Sequence, residues 1–198
     1  AMPRSMIKAF DDMGVEVRHA WGMTEMSPLG TVGALQSQFA QLKGDAKLDV
    51  LQMQGYAPFM VEMQITDDAG KELPWDGKTF GRLKVRGPAI AGAYYQVDKQ
   101  ILDENGYFDT GDVATIDKYG YMRITDRSKD VIKSGGEWIS SIDLENLAVG
   151  HPQVAEAAVI GVFHPKWDER PLLIIQPKEG QTVTRDDILQ YMDGKIAK

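Results

Sequence analysis

Three segments in the middle of the chain alternate apolar and polar residues with a period of two. They are Val61-Glu62-Met63-Gln64-Ile65, Gly81-Arg82-Leu83-Lys84-Val85-Arg86-Gly87 and Tyr121-Met122-Arg123-Ile124-Thr125. That period is the mark of a strand with one buried face, and a helix cannot satisfy it. Turn signals separate the runs: Asp67-Asp68-Ala69-Gly70, Asp76-Gly77, Glu104-Asn105-Gly106 and Lys118-Tyr119-Gly120. Each supplies residues that accept tight backbone geometry. The section from about Leu48 to Asp126 is therefore expected to be β-rich, as a small barrel or sandwich.

The two ends carry other periods. Met6, Ile7, Phe10 and Met13 share one face at helical spacing, with Pro3 suited to a first turn and Gly14 to the end. Val15 to Ala20 alternates like a strand, and Trp21 to Gly33 reads as a loop rich in Gly, Thr, Ser and Pro. A helix with one apolar face needs a sheet to pack on, so this opening suits the edge of an α/β layer. After Arg127 a short strand, Asp130 to Lys133, runs into Ser134-Gly135-Gly136. A helix capped by Ser140 or Ser141 follows and stops at Gly150. Strands at Val154–Phe163 and Leu172–Gln176 precede a last helix from Thr184, with Asp187 as its capping partner. The expected fold class is thus α/β and α+β: residues 1–126 end a larger domain, and 127–198 form a small β-α-β-β-α domain.

Composition narrows the function. Hydrophobic residues make up 43% of the 198, enough for a packed core. A formal net charge of −7 argues against nucleic acid or an anionic membrane surface as partner. Cysteine is absent, which excludes disulfides, thiolate metal sites and a cysteine nucleophile. No apolar run approaches the roughly 20 residues of a transmembrane segment, and the first residues lack a signal-peptide layout, so the expected compartment is cytoplasmic. The three histidines have no metal-ligand spacing, and neither Gly-x-Ser-x-Gly nor Gly-x-Gly-x-x-Gly occurs.

Three segments hold side chains suited to chemistry. Asp109-Thr110-Gly111-Asp112 lies between the apolar residues Phe108 and Val113. A carboxylate there has two oxygens for a ribose diol, or it caps its own backbone at a hairpin corner. Trp21-Gly22-Met23-Thr24-Glu25 combines an aromatic face with hard oxygen ligands for Mg²⁺ and phosphate. The same residues also suit a buried tryptophan anchor followed by a helix cap. Arg127, Lys129 and Lys133 surround the turn that leads to Ser134-Gly135-Gly136 and Trp138. They suit a polyanion, or equally a solvated basic turn between domains.

In order and spacing, four motifs resemble the adenylate-forming (AMP-binding) superfamily. They are Trp-Gly-Met-Thr-Glu at 21–25, Gly-Arg-Leu-Lys-Val-Arg-Gly-Pro at 81–88, Gly-Tyr-Phe-Asp-Thr-Gly-Asp at 106–112 and Asp-Arg-Ser-Lys-Asp-Val-Ile-Lys-Ser-Gly-Gly-Glu-Trp-Ile-Ser at 126–140. The Ser-Gly-Gly-Glu-Trp-Ile-Ser-Ser form, with the later His-Pro motifs, looks most like medium- and long-chain fatty acyl-CoA synthetases. The resemblance implies an ATP-dependent ligase that joins a carboxylic acid, in the fatty case a fatty acid, to coenzyme A through an acyl-AMP. Alternatives are a non-catalytic nucleotide-binding or regulatory protein, and an adenylating ligase for an aryl or methylthio acid.

The implied roles fall on particular residues. Trp21 and Gly22 lie by the adenine, Thr24 at the phosphates and Glu25 at Mg²⁺. Asp112 meets the ribose hydroxyls, and Arg127 the ribose or phosphate. Lys129 is the hinge between domains, Lys133 and Trp138 close over the nucleotide, and Ser134, Gly135 and Gly136 line the passage for CoA. The implied phosphate loop and most of the acyl tunnel lie upstream of residue 1, and the adenylation lysine lies downstream. Gly194-Lys195 falls within the expected last helix and is not assigned that role. On this reading the chain is a fragment and inactive by itself.

Overall fold

The computed structural model describes residue 2 and residues 4–196, so the expected role of Pro3 lies outside the described residues. Contacts divide the chain into two compact units, residues 1–124 and 125–198.

In the first unit, helix α1 spans Arg4–Asp12, and Gly14 leaves it with φ +76°. Its Ile7 packs with Leu48 and Leu51 of helix α2, Gly44–Leu51. The Leu48 region thus opens helical, and the β-rich section begins after it. Of the strand expected at 15–20, only Ala20 joins one: β1 is Ala20–Trp21, paired antiparallel with β2, Thr31–Val32. Alternation gives a segment two faces but not a neighbour to pair with. Val15 N–H instead bonds back to Phe10 O at 2.9 Å.

Four further strands follow: β3 Glu62–Thr66, β4 Gly81–Arg86, β5 Phe108–Ile116 and β6 Met122–Arg127. They form one sheet in the order β3-β4-β5-β6. The expected barrel or sandwich is therefore an open antiparallel sheet. Four strands are too few to close around a filled interior. The alternation seen in sequence is the alternation of burial. Ile65, Leu83, Val85, Ala114, Ile116 and Met122 are fully buried and share one cluster with Met26.

Residues 54–56 stitch β2 to this sheet. Met122 N–H bonds to Gly55 O at 2.7 Å, and Val32 N–H to Tyr56 O at 3.0 Å. The Gln54 side chain accepts from Ile124 N–H at 2.6 Å. Gly55 has φ +94°, and a Cβ there would lie 2.0 Å from Val32 O, so only glycine passes through this seam.

The second unit holds β7 Ile132–Ser134, β8 Glu137–Ile139, α3 Ser141–Val149, β9 Val154–His164, β10 Asp168–Pro177 and α4 Arg185–Met192. The sheet order is β8-β7-β10-β9. The expected β-α-β-β-α order gains a strand, because the three residues of β8 are too few to show a period. Ser140 caps α3 by accepting from Asp143 N–H at 3.0 Å, and Thr184 and Asp187 form a reciprocal capping box on α4. Helix α4 ends at Met192, so Gly194-Lys195 lies just beyond it rather than inside it. Among the described residues no helix is long and apolar enough to cross a membrane.

Candidate functional site

The β1–β2 pair holds the ends of loop 22–30 together. Gly30 N–H bonds to Trp21 O at 2.9 Å. A Cβ on Gly22 would lie 1.9 Å from Pro28 O, so the loop closes on itself with no room for a side chain there. Thr24–Met26 make one 3-10 turn, and Met26, 1% exposed, anchors it in the sheet's core. With Met26 held inward, Thr24 is left exposed and Glu25 half-buried.

Glu25 is gripped twice from the segment after β4. Ala91 N–H bonds to Glu25 O at 2.7 Å, and the Tyr94 hydroxyl donates to Glu25 Oε1 at 2.6 Å. The Tyr94 hydroxyl, and then a backbone hydrogen bond of Glu25 itself, hold the carboxyl below its ordinary range, so it is anionic at neutral pH. Tyr94 in turn is raised, first by donating to that carboxylate and then by burial. Tyr94 carried no spacing signal: it sits in a Gly-Ala-Tyr-Tyr stretch that reads as ordinary loop.

Asp112 comes from a defect in β5. Arg82 pairs with Val113 and Lys84 with Asp109, so two steps on β4 face four on β5. Thr110, Gly111 and Asp112 thus face Leu83 alone, an excess of two residues, and Gly111 takes φ +74°. The hairpin corner weighed from sequence is therefore a bulge inside a continuous strand. Local bonds hold it. Thr110 Oγ1 donates to Leu83 O at 2.8 Å and accepts from Asp112 N–H at 3.1 Å. Asp109 accepts from Gly111 N–H at 2.9 Å and pairs with Arg82 at 3.1 Å. The backbone-capping role weighed from sequence thus belongs to Asp109. Asp112, 9% exposed, accepts at Oδ2 from the Trp21 indole Nε1–H at 3.1 Å. Residues 91 apart in sequence meet there.

The remaining candidates lie in the second unit. Arg127 and Lys129 are exposed at the turn after β6, where Asp130 and Val131 N–H both bond to Arg127 O. They border a cavity of about 370 Å³ that Asp126, Glu145 and Glu169 also line. Lys133 and Trp138 face each other across β7–β8, with Nζ 5.2 Å from the ring centre. Gly135 and Gly136, at φ +59° and +87°, make the two-residue turn between them. Ser134 is buried at its start. The Trp167 ring lies against Gly135, where a Cβ would meet it at 2.7 Å. Trp167 is thus a neighbour of the glycine turn that sequence order did not reveal.

Among the described residues no group of three or more His, Asp or Glu side chains gathers to hold a metal ion. Mg²⁺ is commonly held by one or two carboxylates together with substrate phosphates and water. An ionised Glu25 beside the exposed Thr24 hydroxyl fits that donor set.

Comparison with known proteins identifies the family. The AMP-binding enzyme family matches residues 1–95, and the AMP-binding enzyme C-terminal domain family matches residues 143–198. The chain is 54% identical to the 3-methylmercaptopropionyl-CoA ligase of Ruegeria pomeroyi, over 100% of this chain and 37% of that protein. It is 47% identical to the medium-chain-fatty-acid–CoA ligase of Ectopseudomonas oleovorans, over 100% of this chain and 36% of that protein. The O-succinylbenzoate coenzyme A synthetase of Bacillus subtilis, in complex with ATP and magnesium ion, superposes with a TM-score of 0.81 at 26% identity, over 100% of this chain and 38% of that one. The chain belongs to the AMP-binding, adenylate-forming superfamily, and it spans a little over a third of the length of these relatives.

Proposed function

We propose that this chain is part of an ATP-dependent acid–CoA ligase and carries the nucleotide side of its site. In that reaction a carboxylate attacks the α-phosphorus of ATP and releases pyrophosphate. The thiol of coenzyme A then displaces AMP from the acyl-AMP to give a thioester. The single observation that carries the reading is the Trp21–Asp112 contact at 3.1 Å, which joins an aromatic ring at the start of the loop that holds Glu25 to a nearly buried carboxylate of β5.

On this reading Trp21 and Gly22 flank the adenine, and the two oxygens of Asp112 take the ribose diol. Thr24 faces the phosphates. Glu25 would hold Mg²⁺, which when bound offsets phosphate charge. Arg127, Lys133 and Trp138 form a second set of nucleotide contacts, Lys129 is the hinge, and Ser134, Gly135 and Gly136 line the way in for CoA. A hinge has a purpose here, because adenylation and thioester formation need different groups at one site. The division into residues 1–124 and 125–198 supports reading them as the end of the large AMP-binding domain and the small C-terminal domain. ATP and CoA as co-substrates suit a cytoplasmic location.

A fatty acid is the proposed acyl substrate, supported by the 47% identity to a medium-chain ligase. A short thioether acid is the second reading, supported by the 54% identity to a 3-methylmercaptopropionyl-CoA ligase.

Calorimetric titration of AMP into the 198-residue chain tests the nucleotide reading. Asp112→Ala is expected to weaken binding about tenfold or more, as for a lost charge-assisted contact. Superimposable curves for the two chains reject it. The same preparation is expected to give no carboxylate-dependent ATP–pyrophosphate exchange, and a robust signal would refute the fragment reading.

A further inference from the structure

We infer that Trp21 is a positioning residue for Asp112: its indole N–H sets the plane of the carboxylate that grips the ribose. This rests on the nucleotide reading above and assigns Trp21 a task beyond offering a ring to the adenine.

The need for such a residue follows from the bulge. The backbone at Asp112 is well determined, by Gly111 at φ +74° and by the bond from Asp112 N–H to Thr110 Oγ1. The backbone by itself does not fix the terminal torsion of an aspartate, since rotation about an sp³–sp² bond is broad. Two vicinal hydroxyls are taken by one carboxylate only when both oxygens face them. A donor fixed on Oδ2 favours one rotation over the others, and Trp21 Nε1–H stands there at 3.1 Å. An indole nitrogen donates and cannot accept, so the contact has one polarity.

Trp21 is itself held. Its carbonyl accepts from Gly30 N–H at 2.9 Å. The edge of its ring occupies the space a side chain on Gly30 would need, with ring carbons 2.4 and 2.6 Å from a Cβ built there. The ring is therefore wedged before any ligand arrives. A phenylalanine at this position keeps a flat apolar face and loses the donor together with the ring edge at Gly30, so the ribose and the base are read separately.

The test uses Trp21→Phe in the 198-residue chain and reads the preference for AMP over 2′-deoxy-AMP. The preference is expected to fall about three- to tenfold, the size of one modest hydrogen bond. The preference for AMP over IMP, which reads the base, is expected to change less than the ribose preference, and an equal fall in both overturns the proposal. An unchanged ribose preference overturns the proposal while leaving the nucleotide reading standing.

A ligand-free measurement keeps the contact itself at stake. Trp21 is one of 4 tryptophans, and Trp21→Phe identifies its indole ¹H–¹⁵N signal by removal. That signal is expected to move upfield in Asp112→Ala, and an unmoved signal overturns the contact whatever the titrations give. An unsubstituted chain that binds no AMP overturns the nucleotide reading and the ribose role with it, even if the indole signal moves.

Discussion

The two four-stranded sheets are written in the same alternating code but differ in how much of it is buried. In the first, every second residue of β4 is buried, and β5 is buried along most of its length. In the second, β10 alternates between half-buried and exposed residues, and only Val154 and Val159 of β9 are buried. Leu172 pairs with Ile160 and Ile174 with Ala158, so these residues share one face. Ile160, Leu172 and Ile174 on that face are 49%, 47% and 52% exposed. Alternation tells which residues share a face. It does not tell whether anything covers it.

The contrast can be measured as stability. Leu83→Ala, at a fully buried position, is expected to cost about 2–5 kcal/mol in denaturant unfolding. Ile174→Ala, half exposed, is expected to cost about 1 kcal/mol or less. Comparable losses would erase the distinction between the sheets.

In the second unit, Ser140 measures what a buried helix cap contributes. Its hydroxyl is buried, accepts from Asp143 N–H and donates to Thr125 O at 2.7 Å. Beside it, Asp126 Oδ2 accepts from Ser141 N–H at 2.7 Å. Ser140→Ala is expected to cost about 1–2 kcal/mol, while Ser140→Thr should keep most of the cap. A silent Ser140→Ala would mean that α3 is held by packing alone.

The smallest effect belongs to an exposed turn of the first unit. Asp76 is lowered from the usual 3.8 to about 2. The Thr79 N–H is the first cause, then the Lys78 N–H and the Thr79 hydroxyl, all donating to its carboxylate. A depressed carboxyl adds stability that is present above its unfolded value and lost as pH falls through its folded one. The contribution is therefore full above pH 3.8 and disappears around pH 2. Carboxyl NMR titration checks it: a midpoint at the usual value would show that the turn is open in solution.

Much of the architecture was legible because its causes are local. The caps at Ser140 and Thr184, the stop at Gly150 and the alternation of β3, β4 and β6 each depend on residues within a few positions of one another. The misses have non-local causes. Residues 15–19 alternate but form no strand, although His19 O accepts from Gly33 N–H at 2.7 Å just beyond the β1–β2 pair. The barrel failed because closure depends on strand number rather than on any one strand's pattern. Helix α2 was missed inside a section whose neighbours read as β, and Gly-Asp-Ala-Lys-Leu-Asp-Val-Leu has only two buried residues to mark a period. The site follows the same division. Its residue types stood out at 21–25, 106–112 and 126–138, whereas Tyr94 and Trp167 carried no signal because their roles lie in contacts with Glu25 and Gly135.

What the sequence determined by itself is chemical inventory and short-range geometry: which carboxylates, aromatics and glycines are present, which turns they make and which superfamily their order matches. What only the tertiary structure decided is which of them meet. The bulge at 110–112 needs β4 beside it to be a bulge, and the indole of Trp21 reaches Asp112 only because loop 22–30 and β5 fold onto one core. Hydrogen bonds act over about 3 Å while these residues lie 91 positions apart, so no local pattern can encode their meeting.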